Sequence, residues 1–135
     1  MNIELTKKEF RHLLDLVYIG NWILNSVRGA DRFEEYDLLQ EKFFALAAQA
    51  GMPELMQLYM GHVFPSRAYE DGGIHDAIAD YEDAVFFDIL AEELSRRDMV
   101  EAGIDPDDLR ELTRRMDGYM SEFERSGIES LRIDD

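Results

Sequence analysis

Apolar residues recur at helical spacing through most of the chain, and residues that start or stop helices bound each run. Thr6 and Glu9 form a Thr-x-x-Glu capping box with Leu5 placed to pack on Phe10, which predicts a helix from Lys7 to about Arg28, stopped by Gly29. Phe10, Leu13, Leu14, Val17 and Leu24 make one stripe, and Leu16, Ile19, Trp22 and Ile23 fall on the other side. Between Val17 and Leu24 the helix is apolar nearly all round, so it belongs at the centre of the fold or against another subunit. Asn21 sits among these apolar residues and needs a hydrogen-bond partner there.

Asp31 and Glu34 repeat the capping pattern ahead of Phe33, Tyr36, Leu39, Phe43, Leu46, Ala47 and Ala50, predicting a second helix over 32–50 that forms an antiparallel hairpin with the first. Pro53 suits the first position of a short third helix through Met60, and Pro65, Gly72 and Gly73 mark 62–73 as a surface loop with room for one helical turn after Ser66. A fourth helix over 74–97 carries the stripe Ile74, Ile78, Tyr81, Val85 and Ile89. Phe86, Phe87, Leu90 and Leu94 lie on another side of it. Asp98 and Glu101 offer a single separate turn, and Asp105-Pro106 a cap for a last, one-sided helix that ends near Gly127. Ile3 and Leu5 alternate as Leu131 and Ile133 do, so the two ends can pair as short strands. The expected fold class is all-α: an irregular bundle of four main helices plus short helical turns, forming a single domain over 1–135.

Composition narrows the function classes. The 135 residues include 30 acids against 14 bases, a formal charge of −16, and no cysteine. Disulfides, thiolate zinc sites and cysteine catalysis are excluded. The acidic excess opposes binding to nucleic acid or to anionic membranes, both of which depend on Lys and Arg facing phosphate. No apolar run approaches the roughly 18 residues of a membrane span and the first residues carry no signal-peptide pattern, so the expected location is the cytoplasm.

Two sets of carboxylates are candidate chemistry. Glu34, Asp37 and Glu41 share one face of the second helix, and Asp76, Asp80 and Asp83 one face of the fourth. Facing each other, they would suit Mg²⁺ and a phosphorylated substrate. The Glu-Glu-x-x-Glu signature of all-α nucleoside triphosphate pyrophosphohydrolases is broken, because Leu38 stands where its third Glu belongs. Both acidic faces also lie away from the apolar stripe of their own helix, which favours solvated surfaces. His75-Asp76 is an adjacency that phosphohydrolases use for metal, but the other histidines, His12 and His62, stand in no matching context. No glycine-rich phosphate loop is present, and no cofactor is expected.

Met52, Met56, Tyr59, Met60 and Phe64 form a methionine-rich and aromatic cluster, a candidate binding surface or a gap-filling piece of core. The surplus of apolar helix faces points to a homodimer with Trp22, Phe86, Phe87 and Leu90 at the contact, Phe87 foremost. The function that follows is a non-enzymatic interaction or regulatory module with an unidentified protein partner. The rival readings are a Mg²⁺-dependent hydrolase using the two carboxylate sets and an acidic mimic of nucleic acid.

Overall fold

Thr6 caps the first helix as its residue type dictates: its hydroxyl accepts the Glu9 amide and the Glu9 carboxylate accepts the Thr6 amide. The resulting α1 spans Lys7–Asn25. The computed structural model describes residues 1–134 and divides into two compact units, residues 1–78 and the residues from 79 onward. Its regular structure is mainly α, with one short antiparallel strand pair.

In the first unit α1 is followed by α2, Glu34–Ala45. This helix begins later than its capping pattern predicts. Asp31 turns back to accept from Arg28 and from the Gly29 amide, so Phe33 occupies the cap position without a side-chain cap of its own. Beyond Ala45 the chain continues as tighter turns that close at Gly51, where the Met52 amide reaches the Ala47 carbonyl at 2.8 Å.

The predicted third helix is replaced by a different element. Pro53–Leu55 form one 3₁₀ turn, and β1, Met56–Tyr59, then pairs with β2, His62–Pro65. Met60 (φ 51°) and Gly61 (φ 80°) make the two-residue connection, and positive φ at both positions is what a type I′ hairpin turn requires. Residues 62–73 are accordingly not a plain loop. After β2, Ser66 caps a single turn, α3 (Arg67–Tyr69), and the chain then kinks at Gly73 (φ 111°) within Glu70–Ile74 before the next helix. The strand pair therefore lies inside the chain, whereas Ile3, Leu5, Leu131 and Ile133 are in no strand.

Leu14 and Tyr18 of α1, Phe44 of α2, Ala47, Met52, Leu55, Tyr69, Ile74 and Ile78 form the core of this unit. Tyr69 is its centre: its ring meets Tyr18 and Phe44 edge-on at 5.2 and 5.0 Å, and its hydroxyl donates to Asp15 at 2.8 Å. Burial, reinforced by Asp15, pushes this phenol far above its ordinary range, so it remains a donor.

The helix α4, His75–Glu101, starts in the first unit and runs on into the second. It passes through the predicted break at Asp98 and ends at Gly103 (φ 73°), where the Ile104 amide bonds the Met99 carbonyl at 2.8 Å and the Gly103 amide the Val100 carbonyl at 3.1 Å. That pair of bonds is a Schellman closure, which favours glycine in the left-handed region. The last helix, α5, covers Leu109–Ser126, and its cap is Asp108 in place of Asp105. Asp105 instead folds the approach by accepting the Asp107 amide at 3.0 Å. Ala91, Ser95 and Met99 of α4 and Leu112 and Phe123 of α5 are the buried residues of the second unit.

Candidate functional site

The first unit holds an open cleft of about 780 Å³ between α1, α2 and β2. Tyr18, Asn21, Trp22 and Asn25 follow i, i+3, i+4 and i+7 on α1, so one helical stripe supplies one wall. Glu34, Asp37 and Glu41 follow i, i+3 and i+7 on α2 and supply an acidic wall. His62, Val63 and Phe64 of β2 and Glu70 complete the lining.

A continuous hydrogen-bond network fixes the α1 wall. Asn25 donates to Asn21 Oδ1 at 2.7 Å, and Asn21 donates in turn to Asp37 Oδ1 at 3.0 Å. Arg32 grips the same carboxylate in a fork, Nε to Oδ2 at 3.0 Å and Nη2 to Oδ1 at 2.8 Å, while its Nη1 donates to the Asn25 carbonyl at 3.3 Å. That guanidinium, more than the Asn21 amide, holds Asp37 below the usual carboxylate range. Glu41 ties the hairpin to α2, accepting the Val63 amide at 3.0 Å with His62 Nδ1 at 3.3 Å; the amide is the main cause of its lowered pKa.

Tyr18 carries the aromatic part. Its hydroxyl shares a 2.7 Å hydrogen bond with His75 Nε2, and its pKa is pushed up to about 12 by burial and then by the Glu70 carboxylate. The group is therefore a neutral phenol at physiological pH and no ready nucleophile. Trp22 stacks beside Tyr18 and meets His75 edge-on at 4.9 Å. Four carboxylates thus line the cleft against one arginine and one histidine, and among the described residues neither Glu34 nor Glu70 forms an ion pair.

The residues singled out from sequence fall in different places. Glu34, Asp37 and Glu41 do share one face, but that face walls the cleft and is not simply solvated. Asp76 and Asp80 are exposed on α4, and Asp80 and Asp83 belong to the second unit. Among the described residues no group of three or more His, Asp or Glu is placed to hold a metal ion. Trp22 lines the cleft in the first unit, while Phe86, Phe87 and Leu90 lie in the second, where Phe87 packs on Phe123 at 5.3 Å and Phe86 is half exposed.

The methionine and aromatic cluster is divided by the hairpin. Met52 is core, Met56 packs against the core, and Tyr59, Met60 and Phe64 are exposed, with Phe64 reaching the cleft. Tyr18, Asn25, Arg32, His62 and Glu70 were missed. Only the i, i+3, i+4, i+7 spacing of Tyr18, Asn21, Trp22 and Asn25 signals in advance that α1 carries a second, polar and aromatic, stripe.

No protein-family model, curated protein or solved structure matches the chain, so the cleft is read on its geometry.

Proposed function

We propose that this chain is a non-enzymatic interaction module of the cytoplasm whose first unit takes a basic side chain of a partner protein into the cleft. The observation that carries the reading is the pairing of two uncompensated carboxylates, Glu34 and Glu70, with the Trp22 ring around one concavity. A carboxylate and an indole face both attract a cation, and partial exclusion of water strengthens each attraction. Arg32 supports the choice of ligand, because the chain's own guanidinium already sits at this wall on Asp37. The overall charge of −16 would draw basic partners and repel nucleic acid. An acidic mimic of nucleic acid would present its charges along a convex strip, whereas these four line a hollow.

Self-association belongs to the same proposal. Tyr81 and Ile89 of α4 are 59% and 55% exposed with Val85 half buried between them, Phe86 beside that stripe is 51% exposed, and a second copy is the simplest cover for these apolar residues.

Calorimetric titration with short arginine- or lysine-containing peptides tests the basic-ligand reading. Binding that weakens several-fold in Glu70→Gln and in Glu34→Gln, and weakens with added salt, is the expected result. Absence of binding to every basic peptide at millimolar concentration would overturn it.

A further inference from the structure

A second depression of about 730 Å³ adjoins the cleft. It is lined by Tyr59, Phe64, Pro65, Arg67 and Glu70 among others, and Phe64 and Glu70 line both hollows. The chemistry changes across Phe64. On the cleft side carboxylates dominate. On the far side the rings of Tyr59 and Phe64 share the wall with Gln57 and Glu70, and Arg67 and Asp71 face each other at 3.5 Å, both largely exposed. An exposed pair of this kind holds its geometry weakly, so it is no barrier to an occupant.

Strand alternation explains why this second surface is uncovered. Met56 and Val63 face the core, so Gln57, Tyr59, His62 and Phe64 project from the opposite face of the hairpin. Tyr59 and Phe64, 63% and 43% exposed, are large rings left on that outward face.

On the basic-ligand reading of the cleft, we infer that the basic residue arrives on an extended segment of a partner protein, of the form basic-x-apolar, which straddles Phe64. The basic side chain enters the cleft toward Glu34 and Glu70, and the apolar side chain lies on Tyr59 and Phe64. An extended chain places side chains i and i+2 on the same side, roughly 7 Å apart, which lets one short segment fill two adjoining hollows. The step from the acidic wall of the cleft to the exposed rings of Tyr59 and Phe64 sets the composition of the segment.

Three blocked synthetic peptides test this with the full chain: Gly-Arg-Gly-Leu-Gly, Gly-Arg-Gly-Gly-Gly and Gly-Gly-Gly-Leu-Gly. The Arg-Gly-Leu peptide should bind about tenfold more tightly than the Arg-Gly-Gly peptide, the gain expected from burying one leucine side chain in part. Tyr59→Ala, a surface change whose folding is checked by circular dichroism, should abolish that gain and leave the Arg-Gly-Gly affinity as it was. Glu70→Gln should weaken both arginine peptides. Equal affinities for the two arginine peptides, or a gain that survives Tyr59→Ala, would sink the extended-segment inference while leaving the basic-ligand reading in place. Failure of both arginine peptides to bind removes the two together.

Discussion

The Asn25 carboxamide pairs with both backbone polar groups of Phe33: it accepts the Phe33 amide at 2.8 Å and donates to the Phe33 carbonyl at 3.1 Å. A side chain of α1 therefore does for the start of α2 what a neighbouring strand does in a sheet. Asn25 is 1% exposed, and Asn25→Ala strands the Phe33 amide and Asn21 Oδ1 together. The expected cost is about 2–4 kcal/mol, from unmade buried hydrogen bonds and a small cavity. Urea denaturation measures it, and a loss under 1 kcal/mol would mean that water replaces the carboxamide freely.

Acid should destabilise the protein through its depressed carboxylates. Arg114 and Arg115 hold Glu111 down to about 2, and the Val63 amide holds Glu41 below its ordinary range. A carboxylate with a lowered folded pKa contributes stability above its unfolded value of about 4.3, and that contribution is lost as pH falls through the folded value. Stability should thus be flat near neutrality and decline from about pH 4.5 toward pH 2. Glu111→Gln should make the decline shallower. An unchanged acid limb in that variant would show that Glu111 titrates alike in the folded and unfolded chain.

Ser95 is fully buried on α4, and its hydroxyl lacks a hydrogen-bond partner among the described residues. Removing an unpaired buried polar atom without changing the packing volume much relieves its desolvation cost. Ser95→Ala should therefore stabilise the chain by roughly 1 kcal/mol. A melting temperature that drops would reveal a partner for the hydroxyl in solution.

Oligomeric state is best probed at Phe86. Phe87 packs against Phe123, so a charge there disturbs the second unit itself, whereas Phe86 is 51% exposed. The wild type should scatter light as twice 15.7 kDa at micromolar concentration, and Phe86→Asp as a folded monomer. A wild type that scatters as a single chain removes self-association.

Local rules made much of the helical frame legible. The Thr6–Glu9 box set the start of α1 at Lys7, and Gly51 and Gly103 marked the closures after Ala45 and Glu101, whereas α1 ends at Asn25, three residues short of the expected Arg28, with Ser26 and not Gly29 at its cap. The hairpin was hidden by coincidence: Met52, Met56, Tyr59 and Met60 repeat every three or four residues and mimic a helix, while Met60-Gly61 is a weaker turn signal than Asn-Gly. Site residues divide in the same way. The shared face of Glu34, Asp37 and Glu41 follows from spacing alone, and the buried Asn21 announced a need for partners. Those partners, Asp37 and Asn25, and the approach of Val63 to Glu41 depend on how separate elements pack, which periodicity does not encode.

The hairpin turn also governs how the chain ages in air. Met60 projects from the tip of the β1–β2 connection and is 82% exposed, whereas Met52 is 5% exposed and Met99 fully enclosed. Peroxide reaches the thioether at the tip far more readily than those of Met52 and Met99 and converts it to a polar sulfoxide, one residue from the Tyr59 ring of the second depression. The same turn that displays this face of the hairpin to a partner thus places an oxidisable sulfur at its edge. A reductase that recognises methionine sulfoxide would have ready access to restore it.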